Sequence, residues 1–278
     1  QFNANPVDVL TNVNTCISTP PTLNAGNPGA TYLWSNNATT QSITPTTSGT
    51  YTVQVTTPQQ CTAMFDAVVT LAPTLTVNLG SDTTICQGAR VLLDAGTPSA
   101  THLWNTAATS QTLNVSTSGT YNVTISNGGC SATDAITINV APMPIDVLQD
   151  VTACITTPPT LNAGNSGYSF LWNTNAQSQS ISPIISGTYS VLITSPQLCS
   201  ATYDAIVTLT PELNVALGND TTICQGSSLI LDAGSPGDSH TWNTSETTQT
   251  LTVTNSGTYS VVVSNGGCTA SDAIQLTV

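Results

Sequence analysis

Ser118-Gly119-Thr120-Tyr121-Asn122-Val123-Thr124-Ile125-Ser126-Asn127-Gly128-Gly129-Cys130 decides the fold. From Tyr121 to Ile125 apolar residues alternate with polar ones, the period of a strand with one buried face. Asn127-Gly128 is a tight-turn signal at the end of that strand. A Ser-Gly-Thr-Tyr tetrapeptide opens the stretch and a cysteine closes it, and both recur along the chain.

The recurrence sets the organisation. Ser-Gly-Thr-Tyr ends at Tyr51, Tyr121, Tyr189 and Tyr259, each at the same offset from a preceding tryptophan (Trp34, Trp104, Trp172, Trp242). Each tryptophan in turn follows a cysteine at a constant offset (Cys16, Cys86, Cys154, Cys224). A second cysteine follows each first one at near-equal spacing, slightly longer in the first and third copies (Cys61, Cys130, Cys199, Cys268). These fixed offsets define four copies of one unit, expected at residues 1–72, 73–140, 141–210 and 211–278. The copies are of two types. Units one and three share Thr-Pro-Pro-Thr-Leu-Asn-Ala-Gly (19–26, 157–164), and units two and four share Asp-Thr-Thr-Ile-Cys-Gln-Gly (82–88, 220–226). The true period is an A-B pair, which maps Asp8 onto Asp146 and Asp82 onto Asp220. Gln1-Phe2-Asn3-Ala4 aligns with Asn139-Val140-Ala141-Pro142, so the chain reads as a window from a longer array; a four-domain protein with a mature N-terminus is the alternative.

No segment has an amphipathic 3.6 period of helical length. Six or seven short strands in about 69 residues indicate a small two-sheet sandwich. Ser-Gly-Thr-Tyr-x-Val resembles the tyrosine corner of immunoglobulin-like domains, with Val53, Val123, Val191 and Val261 where such domains usually place a cysteine. The tryptophans fit the core position of the third strand. The expected fold is all-β, four tandem immunoglobulin-like sandwiches in A-B-A-B order. Units one and three replace the Asn-Gly hairpin with a longer one (Pro58–Gln60, Pro196–Leu198).

Eight cysteines in even pairs, without Cys-x-x-Cys, read as disulfides formed in an oxidising compartment. A core this small benefits from a covalent staple. The expected pairs lie within each unit: Cys16–Cys61, Cys86–Cys130, Cys154–Cys199 and Cys224–Cys268. Closing such a loop stabilises by roughly 4 kcal/mol on the chain-entropy model. The alternative joins the first cysteine of each domain to the second cysteine of the next, which leaves Cys61 and Cys224 free to continue the links.

Composition restricts function. There are 14 acidic residues and one basic one, for a net charge of −13. Nucleic acid requires Lys and Arg to displace counterions, and anionic membranes attract basic segments, so neither is an expected partner. No apolar run approaches the ~20 residues of a membrane helix, so direct membrane insertion is not expected. Any export signal lies outside this sequence, which begins Gln-Phe-Asn without a basic n-region. Charged residues are only 5% of the chain, so Thr, Ser, Asn and Gln must cover the surface. The absence of lysine rules out Lys–Asn isopeptide bonds and leaves covalent strength to the disulfides.

Candidate chemistry is sparse. His102 and His240 stand where the other units have Tyr32 and Phe170, a pattern of aromatic packing rather than catalysis. The plentiful serines have no His–Asp partner set. Asp66, Asp134, Asp204 and Asp272 follow the second cysteines, and Asp82, Asp220, Asp94 and Asp232 recur in the B units. Asp82 and Asp220 are weak calcium candidates, but no Asp-x-Asp-x-Asp-Gly loop is present, and turn capping is the expected role. No other metal, cofactor or catalytic residue is expected.

The pattern Leu-Gly-x-Asp-Thr-Thr-Ile-Cys-x-Gly, Leu-Asp-Ala-Gly, Trp, Ser-Gly-Thr-Tyr and Gly-Gly-Cys resembles the immunoglobulin-like and PKD-like tandem repeats of Bacteroidota surface proteins, over essentially the whole chain. Those arrays occur in giant adhesins, gliding-associated proteins and type IX-secreted proteins. The resemblance implies an extracellular, cell-surface protein. It also makes Thr83 and Thr221, within Asp-Thr-Thr, candidate O-glycosylation acceptors. The Asn-x-Ser/Thr sequons at Asn37, Asn114, Asn122, Asn219 and Asn243 are expected to be incidental. The same modules serve as stalks, adhesins and enzyme appendages. The expected function is a structural repeat of a disulfide-stapled fibre or adhesin stalk, not an enzyme. Short Pro-containing linkers stack the domains, at about 50–70 Å per A-B pair. Sheet edges without lysine favour self-association into a fibre. The alternative is a ligand- or carbohydrate-binding array, which requires exposed aromatic rings.

Overall fold

The computed structural model describes residues 5–278, so the repeat alignment of Gln1–Ala4 lies outside the described residues. The fold is all-β, with no helix among the described residues and four repeated two-sheet immunoglobulin-like sandwiches. They group into two compact units, residues 1–141 and 142–278, each an A-B pair.

In the first sandwich the strands are β1 (Val13–Cys16), β2 (Leu23–Asn24), β3 (Thr31–Trp34), β4 (Ser42–Ile43), β5 (Gly49–Thr56) and β6 (Thr62–Ala72). A four-stranded sheet runs in the order β1-β6-β5-β3, and β2 pairs with β4 to form the second sheet. In the next sandwich β7 (Thr83–Cys86), β12 (Ser131–Ala141), β11 (Gly119–Ser126) and β9 (Thr101–Trp104) form the large sheet. β8 (Val91–Asp94) and β10 (Thr112–Val115) form the small one. The second unit repeats this plan with β13 (Val151–Cys154) to β18 (Ser200–Thr210) and β19 (Thr221–Thr222) to β24 (Thr269–Thr277).

Strand alternation builds the core. In β3, Tyr32 and Trp34 are buried while Thr31 and Leu33 are exposed. Val53 and Val55 of β5 and Ala67 and Val69 of β6 meet Leu23 and Ile43 from the small sheet and Ala25, which follows β2. The other three sandwiches repeat this cluster around Trp104, Trp172 and Trp242. Each indole donates to a carbonyl further along the chain (Thr40, Ser110, Ser178, Thr248) at 2.8–2.9 Å, which satisfies its one donor inside the core. Each corner tyrosine donates its hydroxyl to a carbonyl one turn back (Thr47, Thr117, Ile185, Asn255) at 2.8–3.0 Å.

The first strand of each sandwich is the one that matters for the cysteines. β1 runs parallel to β6 and pairs with its last residues, Val13 with Val69 and Cys16 with Ala72. β7 pairs with β12 and β13 with β18 in the same register, so Cys86 faces Ala141 and Cys154 faces Thr210.

Candidate functional site

That register separates the two cysteines of each domain. Cys16 sits beside Ala72 at the last residue of β6, whereas Cys61 directly precedes the first residue of that strand. At ~3.3 Å per residue they are roughly 35 Å apart along the sheet. A disulfide needs Cα atoms within about 7 Å. The expected Cys16–Cys61 bond is therefore corrected, and with it Cys86–Cys130, Cys154–Cys199 and Cys224–Cys268.

The observed bonds cross from one sandwich to the next. Cys16 is bonded to Cys130 and Cys154 to Cys268, with Cα–Cα distances of 4.6 and 4.5 Å and a sequence separation of 114 in both cases. Cys86 and Cys199 are also disulfide-bonded, while Cys61 and Cys224 are free thiols.

The junction is built around the hairpin quoted first, Asn127–Cys130. It reaches the end of the preceding sandwich where β1 and β6 finish side by side. An added Cβ on Gly129 would fall 2.6 Å from the Thr15 carbonyl oxygen and 2.7 Å from the Ala72 Cβ. Only glycine lets the hairpin backbone come so close. Gly267 occupies the same seat in the second unit, where a Cβ would lie 2.5 Å from the Ala153 carbonyl oxygen. Gly128 supplies the turn's left-handed residue, at φ 87°. Asn127 holds the turn by accepting from the Cys130 amide at 2.9 Å. It also holds the linker by donating to the Pro73 carbonyl at 2.9 Å, and Asn265 repeats this with Pro211 at 2.8 Å. The connection inside each unit is thus clamped by a disulfide, a glycine seat and a linker hydrogen bond.

Type A domains carry a different hairpin. Gln60 and Leu198, which precede the cysteine there, are left-handed at φ 64° and 65°. The loop is closed by Thr57 or Ser195, whose hydroxyl accepts from the cysteine amide. Sequence reasoning noted both hairpin forms but missed that the type B form seats against the preceding sandwich of its unit. The signal was present in Gly-Gly-Cys against Gln-Gln-Cys and Gln-Leu-Cys.

The remaining candidates serve the fold. His102 and His240 are buried, and each Nε2 lies 2.9 Å from a loop carbonyl, Gly96 or Gly234. Tyr32 meets the equivalent carbonyl of Gly26 with its hydroxyl. Asp94 and Asp232 accept from the amides of Gly96 and Gly234 and from Gln111 and Gln249. These bonds hold both carboxyls below the ordinary aspartate value, the backbone amide being the larger cause. Asn24 and Asn162 make the same turn in type A, so the position requires an acceptor rather than a charge. Asp82 and Asp220 accept from the Thr137 and Gln275 amides, as Asn12 and Asp150 do from Val68 and Ile206. Asp134 and Asp272 accept from Leu79 and Leu217. The described residues contain no group of three metal-ligating side chains. Thr83 is exposed on β7 and Thr221 half-buried on β19.

No family model matches the chain, and no curated protein matches it. Among solved structures it is similar to extracellular domains 3–5 of Drosophila OTK, at 12% identity and TM-score 0.38, covering 73% of this chain and 95% of that one. It is also similar to immunoglobulin domains 1–4 of Sidekick-1, at 14% identity and TM-score 0.31, covering 100% and 98%. The titin I-band fragment I67–I69 matches at 12% identity and TM-score 0.32, covering 71% and 95%.

Proposed function

We propose that the chain is a structural repeat segment of an extracellular cell-surface fibre or adhesin stalk, and not an enzyme. The observation that carries this reading is the path of the disulfides. Tension entering at the N-terminus passes from Cys16 through sulfur to Cys130, and from Cys154 to Cys268. Each bond closes a loop of sequence separation 114 that holds most of two sandwiches, and that loop stays outside the loaded covalent path. A disulfide inside one domain would protect only that domain. Disulfides persist in oxidising environments, which supports an extracellular location.

A carbohydrate-binding array would present aromatic rings to solvent. All four tryptophans are buried, and no aromatic side chain among the described residues is exposed. Exposed apolar residues on the four-stranded sheets, such as Leu33 and Met64, favour lateral self-association instead. Glycans on Thr83 would add solubility to a surface almost without charge.

Electron microscopy of native, unreduced material tests the reading. Long fibres with an axial repeat matching one A-B pair, or a simple multiple of it, are expected. Separate globular particles would overturn it.

A further inference from the structure

The chain has two Asn-Gly pairs, Asn127-Gly128 and Asn265-Gly266, and both stand in the hairpins that seat against the preceding sandwich of their unit. The junction itself calls for this pair. The side chain at 127 donates and accepts at once: Nδ2 donates to the Pro73 carbonyl at 2.9 Å, and Oδ1 accepts from the Cys130 amide at 2.9 Å. Asn265 does the same with Pro211 and Cys268, both at 2.8 Å. An ionised aspartate has no donor for the proline carbonyl. The next residue is left-handed, at φ 87° for Gly128 and 88° for Gly266, which glycine adopts without strain. The type A hairpins, with Pro58-Gln59-Gln60 and Pro196-Gln197-Leu198, contain no asparagine.

Asparagine before glycine is also the least durable pair in a polypeptide, because no side chain shields the glycine amide. The Gly128 nitrogen gives its proton to water and attacks Asn127 Cγ. A new C–N bond forms, the bond from Cγ to Nδ2 breaks, and ammonia leaves. Water then opens the cyclic imide at one of its two carbonyls and yields aspartate or isoaspartate.

In the closed junction neither reactant is free. Turning Cγ onto the Gly128 nitrogen breaks both hydrogen bonds of the carboxamide. The Gly128 amide itself donates to Ser126 Oγ at 3.3 Å, and Gly266 to Ser264 Oγ at 3.2 Å. The Asn127 and Asn265 amides donate to the Cys130 and Cys268 carbonyls at 3.2 Å, which fixes the backbone around the pair. Gly129 is wedged against Thr15 and Ala72, and Cys130 is bonded to Cys16.

We propose that Asn127 and Asn265 are sites of spontaneous conversion to aspartate and isoaspartate, held intact while their junction is closed and converted once it opens. Isoaspartate adds a methylene to the backbone of the hairpin. Either product sets a carboxylate against the Pro73 or Pro211 carbonyl, where Nδ2 had donated. A converted hairpin no longer fits its seat, so an opened junction stays open. The site depends on the junction alone, whether or not copies assemble into fibres.

The test follows conversion at both asparagines by peptide mass spectrometry after incubation in isotopically labelled water. It compares the oxidised full chain, C16S/C130S, C154S/C268S and an alkylated peptide spanning Ile125–Ser131. In the oxidised chain both asparagines should convert about thirtyfold more slowly than in the peptide, the factor set by two net hydrogen bonds that must break first. C16S/C130S should speed Asn127 by about tenfold, as expected of a local opening made easier, and leave Asn265 unchanged. C154S/C268S should do the reverse, so each asparagine is the other's control. Near-UV circular dichroism of the buried tryptophans shows whether each variant is folded, and the comparison of oxidised chain with peptide needs no variant. Conversion in the oxidised chain as fast as in the peptide would overturn the proposal. So would a folded variant with no acceleration at its opened junction, or equal acceleration at both asparagines.

Discussion

Cys130 is bonded to Cys16, at a sequence separation of 114 and in a different sandwich. The other cysteine of its own sandwich, Cys86, lies at the opposite end of the same sheet. The domain is therefore not the covalently closed element of this protein; the A-B pair is. The loop is long enough that, on the chain-entropy model, its closure is worth about 4–5 kcal/mol. Cys16→Ser should lower the stability of the first unit by about that amount in urea denaturation, and reductant should reproduce the loss. An equal loss in Cys61→Ser would contradict the pairing.

Gly129→Ala places a methyl group against the Thr15 carbonyl and Ala72. Overpacking of this kind costs about 1–3 kcal/mol. Oxidative refolding should slow, and the Cys16–Cys130 bond should form in lower yield, as measured by thiol titration. Gly49→Ala is the control, because a Cβ there meets nothing within 4 Å and the residue is not left-handed. It should refold normally.

Tyr121→Phe removes the hydroxyl that donates to Thr117 at 3.0 Å and keeps the ring in the core. A net loss of about 1 kcal/mol is expected in urea denaturation. Tyr51, which is less buried, should lose no more than this on the same change.

Asp94 and Asp232 are held below the ordinary aspartate value of 3.8 by the Gly96 and Gly234 amides first and the glutamines second. A carboxyl whose folded value is depressed contributes stability above its unfolded value and loses that contribution as pH falls through the folded one. The type B sandwiches should therefore lose thermal stability below about pH 4. D94N/D232N should flatten that loss, because Asn24 and Asn162 already make the same turn uncharged. A series of melting curves from neutral to acid pH reads both effects.

The sandwich was legible because its signals are local. The alternation from Tyr121 to Ile125, the Asn-Gly turn and the fixed Trp-to-Tyr offset each report on neighbouring residues. The disulfide pairing was not, because it depends on the parallel register that sets Cys16, near the start of its domain, beside Ala72 at the end. Nothing within Val13–Cys16 states which end of β6 it joins. Uniform spacing misled for the same reason: repeats offset every cysteine by the same amount whether the bonds lie within domains or across them. The two hairpin forms did differ, and the glycine of the type B form is what lets it seat against the preceding sandwich of its unit.

Stretching single molecules of the oxidised chain by its ends tests the central claim, that bonds between sandwiches carry the load. Loops of sequence separation 114 in each unit should remain locked, and adding reductant should lengthen each unit by about 400 Å of extensible chain. Unfolding steps of the same size with and without reductant would contradict it.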